Sequence, residues 1–442
     1  MSRPTDPKRI LDQSPMNAVQ IAAVGICVVL NALDGFDILS ISFASPGIAR
    51  EWAINSAALG VVLGMELFGM AVGSIALGGL ADRIGRRPAI LLCLALMSAG
   101  MYSASLVDSV NQLLFARFAT GLGIGGMLAA TNAMTAEFSN AKWRNFAVIL
   151  MATGYPIGGI VGGSVSTMLL ANSDWRAIFV FGAACTAFLL LVVWIGLPES
   201  IEYLATKRPP NHLERINRTL ARMGHETIAA LPEVVETKEK NSMTALVSPQ
   251  YRTMTLLLTV AYFAHIMTFY YILKWIPRIV VDMGYAPATA GGVLVWANVG
   301  GAIGALLLGL FSARFRLRSL VITVLLLAFV MVTIFGLGYQ NLGQLSLVAA
   351  VTGFFTNAGV VGFYALMANA FPSDMRASGT GVVIGVGRGG AALGPVVAGL
   401  LFAAGFDLLV VSAVMGAGAV LAAFAIFMLN PVLKQHAVPA TV

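Results

Sequence analysis

Charge is what this sequence has least of. Asp, Glu, Lys and Arg make up 11% of its 442 residues and hydrophobic residues 58%, against roughly 25% charged in a soluble domain. So few charges cannot cover the surface of a water-soluble chain of this length, whereas lipid solvates apolar side chains directly. Cysteine is nearly absent. Cys27, Cys93 and Cys185 each fall inside an apolar run, with neither ligand spacing nor a disulfide framework, and they read as small apolar fillers. No metal cluster, nucleophile constellation or phosphate loop can be assembled, and no soluble domain is long enough to signal, which excludes a membrane enzyme or sensor. No catalytic residue, metal or cofactor is therefore expected. The polar first fifteen residues lack the apolar stretch and cleavage site of a signal peptide, so the first long apolar run is expected to be retained. The net charge of +7 lies in short loops between apolar runs rather than on a solvated face, which argues against nucleic acid as a partner.

What is present is a succession of apolar runs. A spanning helix needs roughly 20 mostly apolar residues, and twelve such runs can be read, at 17–43, 56–80, 88–107, 110–135, 145–170, 176–197, 254–280, 287–311, 319–338, 343–370, 377–402 and 405–429. The one long polar segment, about 198–252, holds Lys207, Arg208, Arg215, Arg218, Arg222, Lys238 and Lys240. Its stretch from His212 to Met223 has a helical apolar period and predicts a surface helix. The segment divides the chain into an N-terminal six-helix half, 1–197, a central cytoplasmic loop, 198–252, and a C-terminal six-helix half, 253–442.

Lysine and arginine placement sets the expected orientation. With the N-terminus inside, the inner loops carry Arg3, Lys8, Arg9, Arg83, Arg86, Arg87, Lys142, Arg144, the seven central-loop cations, Arg252, Arg314, Arg316, Arg318, Arg376 and Lys434. The outer loops carry only Arg50, Arg176 and Arg278. Both termini are thus expected to be cytoplasmic, in a multi-pass protein of the cell (inner) membrane. The halves look like diverged copies. The second run ends in GGLADRIGRR (78–87) and the eighth in GLFSARFRLR (309–318). The fourth ends in AEFSNAKWR (136–144) and the tenth in NAFPSDMR (369–376), while the fifth and eleventh are glycine-rich around Pro156 and Pro395. Paired halves are a common plan for secondary transporters, with substrate at the midplane.

These residues resemble the major facilitator superfamily. Gly78–Arg87 is similar to its loop signature between the second and third spans, and Arg117-Phe-Ala-Thr-Gly121-Leu-Gly123 to its fourth-span signature. The resemblance covers essentially the whole chain and implies an all-α membrane protein of twelve transmembrane helices in two pseudo-symmetric six-helix bundles. Leu33-Asp34-Gly35-Phe36-Asp37 in the first span resembles the paired-aspartate motif of the aromatic acid:proton symporters within that superfamily. Gly121-Leu-Gly-Ile-Gly-Gly126, Glu137-Phe138, Lys274-Trp275-Ile276-Pro277, Gly387-Arg388-Gly389 and Gly394-Pro395 support the same resemblance. Pro198-Glu199-Ser200 is shared with related porters. Two departures stand out: Ala313 occupies the position paired with Asp82, and Glu66 lies inside the second span.

An ionisable group in a spanning helix costs about 2.5–3.5 kcal/mol on insertion scales, so function is its default explanation. Asp34 and Asp37, three residues apart, share nearly one helix face. Two such carboxylates in a low dielectric repel, which favours a proton on one of them, as a proton-coupled carrier needs. The bland alternative for Asp37 is a hydrated group near the outer interface. Gly35 between them allows local bending or unwinding. Arg117 and Arg388 offer planar forks that match a carboxylate. Arg388, flanked by Gly385, Gly387, Gly389 and Gly390, is expected to have open space for a substrate acid. The resemblance assigns Arg117 to coupling, and a structural pair at the outer mouth is its alternative. Glu66 is either a second protonatable site or a partner of Arg117. Lys274 is expected to snorkel to the interface. Candidate ring contacts are Phe36, Tyr155, His265, Tyr270, Trp296, Phe363 and Tyr364, with Asn298 and Asn132 as polar groups; His265 reads more simply as a packed histidine.

Gly78, Asp82, Arg83, Gly85, Arg86 and Arg87, together with Glu137 and Arg144, read as a cytoplasmic gate. Asp82 is expected to accept from a neighbouring helix N-terminus or to pair with Arg144. The implied function is a proton-coupled symporter importing a small organic anion, an aromatic carboxylate, by alternating access. The expected partners are the anion, protons and the lipid bilayer, with a monomer as the functional unit. A drug/proton antiporter, faintly suggested by Gly154-Tyr155-Pro156-Ile157-Gly158-Gly159, and a sugar or other organic-acid porter are the alternatives.

Overall fold

Each apolar run becomes a helix because lipid offers no hydrogen bonds to the backbone, so every peptide group must be satisfied within its own segment. The structure, a computed structural model, describes residues 6–232, 246–371 and 375–436. Arg3, Lys238 and Lys240 lie outside the described residues, as do the side chains of Arg376 and Lys434. The helices are α1 (Pro7–Gln13), α2 (Ala18–Glu51), α3 (Ser56–Ala76), α4 (Gly78–Ile84), α5 (Arg86–Ser105), α6 (Val110–Phe138), α7 (Arg144–Asn172) and α8 (Arg176–Gly196). They continue with α9 (Ile201–Lys207), α10 (His212–Arg222), α11 (Arg252–Asp282), α12 (Pro287–Ser312), α13 (Leu317–Phe335), α14 (Leu342–Ala370), α15 (Arg376–Ala403) and α16 (Leu408–His436). Among the described residues, twelve spans are long and apolar enough to cross a membrane, α3 and α4 counting together. The predicted surface helix is α10.

Local sequence explains where helices start. At the head of α2, Asn17 Oδ1 accepts from the Gln20 N–H at 3.0 Å and Gln20 Oε1 accepts from the Asn17 N–H at 3.1 Å, a reciprocal cap that satisfies two donors. Asn341 Oδ1 accepts from the Gly343 and Gln344 N–H groups at the head of α14. The first predicted run stopped at 43, but α2 continues through Pro46 to Glu51. A hydropathy window reports membrane thickness, about 30 Å, while a helix of 34 residues extends about 50 Å. At its far end Glu51 accepts from both Arg176 guanidinium nitrogens, at 2.7 and 2.8 Å, and from the Trp175 indole at 2.7 Å.

By packing density the chain forms two compact units: Met1–Ile38 with Gly69–Gly159 and Phe179–Lys238, and Leu39–Phe68 with Ile160–Ile178 and Glu239–Val442. The boundaries pass through α2, α3, α7 and α8, so compactness groups the chain differently from chain order. In the first unit α5 packs along α6; in the second, α12 packs along α14 and α11 along α15 and α16. The second unit also contains the close approach of α3 to α15, where a Cβ at Gly60 would stand 2.6 Å from the Pro395 carbonyl oxygen.

Candidate functional site

In the first unit, α2 buries both acidic side chains: Asp34 is 2% and Asp37 0% exposed. The hydrated alternative for Asp37 is therefore corrected. Arg117 projects from α6 and is also fully buried. Its Nη2 donates to the Asp37 carbonyl oxygen at 2.9 Å, its Nη1 reaches the Met101 sulfur at 2.8 Å, and its guanidinium lies 5.2 Å from the centre of the Phe179 ring. The structure thus brings Asp34, Asp37 and Arg117 into one buried neighbourhood. It does not bear out the unwinding expected at Gly35. The helix runs through unbroken, and a Cβ there would overlap the Tyr155 carbonyl oxygen. The glycine lets α2 and α7 meet backbone to backbone and sets Tyr155 beside the acidic segment. Phe36 is buried against Phe181, ring centroids 5.5 Å apart.

Asp82, Arg83, Gly85, Arg86, Arg87 and Glu137 meet at the α4–α5 junction, whereas Gly78 and Arg144 stand apart from it. Asp82 is exposed and pairs with Arg86, one turn on. Arg144 pairs with Asp12 of α1 and donates to the Ala136 carbonyl oxygen, so the Asp82–Arg144 pairing is not formed. The carboxylate at the head of α5 is Glu199: its Oε1 accepts from the Arg86, Arg87 and Ser200 N–H groups at 3.0, 3.1 and 2.9 Å. A carboxylate there satisfies free helix donors and meets the positive end of the helix dipole. Glu137 lies 3.5 Å from Arg86 Nε and accepts from the Ser200 hydroxyl. Tyr203 donates to the Arg83 carbonyl oxygen at 2.8 Å, and Arg87 donates to that of Trp194. Gly78 opens α4 with its Cβ position uncrowded, Ala129 lying 3.9 Å away.

Gly85 is the hinge of this cluster. Its φ is +107°, where an L side chain is strained, and a Cβ would collide with the Glu199 carboxylate. Gly85→Ala is expected to cost about 1–3 kcal/mol through strain alone and to loosen the Glu199 cap. Asp82→Asn removes only an exposed ion pair and is expected to leave thermal stability nearly unchanged. Melting curves of the two purified variants test the contrast.

In the second unit, Glu66 of α3 and Lys274 of α11 are both 0% exposed, and Lys274 Nζ lies 3.6 Å from a Glu66 oxygen. Lys274 does not snorkel; it folds inward and stands as a charge partner of Glu66. Burying either charge alone is far costlier than burying the two as a pair. Next along α11, Trp275 donates its indole N–H to the Pro395 carbonyl oxygen at 3.1 Å.

The same unit holds the arginine of α15. Arg388 is half-buried, and no carboxylate among the described residues forms an ion pair with it. The neighbouring Gly387 lies against the Tyr262 ring of α11. The Tyr262 and Tyr364 oxygens are 3.3 Å apart. Tyr262 packs edge-on against Phe363 at 5.6 Å, and His265 stacks on Phe363 while its Nε2 donates to the Thr356 carbonyl oxygen at 2.8 Å. His265 is a packed histidine. The open space expected beside Arg388 is confined to Gly385, since Gly387 meets the Tyr262 ring and Gly390 the Phe263 backbone. Asn298 is buried and donates to its own helix at Leu294; Trp296 and Asn132 are exposed. Tyr262 was missed from the sequence, although its spacing from Tyr270 along one helix, two turns, was a usable signal.

A model of the major facilitator superfamily matches residues 27–299 and 256–441. The chain belongs to the major facilitator superfamily. It is a multi-pass membrane transporter, not an enzyme. It is 28% identical over 447 residues to a gallate transporter of Pseudomonas putida, an alignment spanning 99% of this chain and 97% of the relative. It is 29% identical to the 4-hydroxybenzoate transporter PcaK of Pseudomonas aeruginosa, spanning 91% and 90%. The narrower resemblance drawn from the α2 aspartates points to the same aromatic-acid group of major facilitator proteins. The fold matches the partially occluded inward-open xylose transporter XylE of E. coli with a TM-score of 0.74 at 15% identity, covering 93% of this chain and 98% of that one.

Proposed function

We propose that this chain is a proton-coupled symporter that imports an aromatic carboxylate by alternating access. The observation that carries the reading is Arg388, a half-buried guanidinium with no carboxylate partner among the described residues, on the helix segment that meets Tyr262 and, through it, Tyr364. A guanidinium fork matches a substrate carboxylate, and tyrosine rings supply stacking faces with polar ends. Relatives named for gallate and 4-hydroxybenzoate transport support the same class of cargo. Asn298, Trp296, Tyr155 and Asp37 remain candidates for substrate contact.

The coupling proton is assigned to Asp34 and Asp37, with Arg117 holding the α2 backbone and biasing their charge. Glu66 joins this role through its pairing with Lys274. The halves 1–197 and 253–442 rock, and the Gly85–Glu199 junction with Asp82, Arg83, Arg86, Arg87, Glu137 and Arg144 gates the cytoplasmic side. The protein works as a monomer in the inner membrane, both termini cytoplasmic. Arg388 disfavours a cation exporter, and a sugar porter has no use for an unpaired guanidinium.

A thermal-shift panel tests the reading. Hydroxybenzoates are expected to stabilise the purified protein by mass action, while xylose and cationic drugs leave its melting temperature unchanged. Stabilisation by the sugar or the cations alone contradicts it. Asp34→Asn is expected to keep the hydroxybenzoate shift and lose uptake driven by a pH gradient; uptake equal to wild type removes Asp34 from the coupling role.

A further inference from the structure

Where α8 ends and α5 begins, the first unit contains a cleft of about 230 Å³ whose α10 side the transport reading leaves unused. Four guanidiniums, Arg87, Arg215, Arg218 and Arg222, line it, with Glu199 as the carboxylate on its wall. Glu199 is committed to the backbone N–H groups at the head of α5 and stands 4.0 Å from Arg215. Glu214 meets Arg218 from the exposed side at 2.7 Å, and among the described residues Arg222 forms no ion pair. Four positive charges against one negative leave the lining with an excess of three.

The placement of these arginines follows from α10. Ile216, Thr219 and Leu220 are buried and pin one face of that helix to the protein. Positions 215, 218 and 222 follow the i, i+3, i+7 pattern of a single face, so the helix presents a guanidinium stripe to the cleft. The rim is of opposite character. Trp194 and Ile195, in the last turn of the spanning helix α8, are 61% and 83% exposed. A tryptophan at a span end sits at headgroup depth, and an apolar neighbour there faces acyl chains. A basic floor with an apolar rim at the membrane boundary has the complementarity of an anionic amphiphile.

We propose that this cleft binds the headgroup of an anionic phospholipid, its phosphate on the α10 arginines and its acyl chains along Trp194 and Ile195. A bidentate guanidinium suits a phosphate diester, and the rim separates this ligand from a soluble phosphate, which gains nothing from it. The bound lipid ties α10 to the α5–α8 end that the Glu199 cluster organises.

Trp194 itself reports on the site. The whole protein is placed in phosphatidylcholine vesicles carrying a minor fraction of brominated phosphatidylglycerol or of brominated phosphatidylcholine, and the Trp194 signal is taken as wild type minus Trp194→Phe. Each arginine near an anionic lipid is worth about a fivefold preference, so phosphatidylglycerol is expected to quench Trp194 several-fold more effectively. Replacing Arg215, Arg218 and Arg222 together by Gln is expected to abolish that preference, while Arg314→Gln with Arg316→Gln, the same chemistry on another loop, preserves it. Equal quenching by the two lipids overturns the proposal, as does a preference that survives the triple replacement. Loss of the preference on adding millimolar inorganic phosphate overturns it in favour of a soluble anion.

Discussion

Lys274→Met is expected to lower the thermal stability of the protein sharply, by about 3–5 kcal/mol in its folded-state balance, because it removes a positive charge from beside the fully buried Glu66 carboxylate. Glu66→Gln alone is expected to act in the same direction through Lys274. The two together are expected to restore much of the loss, since a neutral pair of similar volume needs no compensation. The geometry behind this is specific: both side chains are fully buried and 3.6 Å apart. A melting series on the wild type, both single variants and the double variant gives the coupling directly. Additive losses would mean that the pair does not act as a unit. The pair ties α3 to α11 inside the second compact unit.

Arg388→Ala is expected to remove uptake while leaving the fold intact, because the side chain is half-buried and forms no ion pair with the described carboxylates. Truncating one member of a buried charge pair with a ligand costs about 2–5 kcal/mol, roughly 30-fold or more in apparent affinity. Arg388→Lys is expected to recover little of it, because a point charge does not reproduce the planar fork. Tyr262→Phe keeps the ring and loses the hydroxyl that meets Tyr364, and is expected to give an intermediate loss. Binding of labelled 4-hydroxybenzoate to the purified variants separates these outcomes. An Arg388→Ala protein that binds like wild type would place the anion elsewhere.

The twelve spans were legible because hydropathy is a property of each segment by itself, and a bilayer imposes its thickness on every one. Helix ends were less so, as the last two turns of α2 show. The buried carboxylates of α2 and Arg117 were legible for the same reason as the spans: a charge amid apolar residues is conspicuous wherever it sits. Partners were not. Glu66 and Lys274 lie on distant segments, and nothing local distinguishes a lysine that snorkels from one that folds inward to a carboxylate. Gly85 was recognisable by its motif, but its physical reason, a positive φ beneath the Glu199 carboxylate, depends on a residue after the sixth span. The role expected of Asp82 at the α5 N-terminus belongs to Glu199 for that reason. Glycines flanking Arg388 suggested open space, yet two of them are filled by Tyr262 and Phe263. A missing side chain can equally mark a close approach.

The central claim is coupling of a proton to inward movement of an aromatic acid. It is tested most directly by uptake of radiolabelled 4-hydroxybenzoate into proteoliposomes of the wild-type protein, acidic outside and alkaline inside. The account predicts accumulation above the equilibrium level that collapses when a protonophore is added, and none in the Asp34→Asn protein. Uptake that is indifferent to the pH gradient, or equal in the variant, would contradict it.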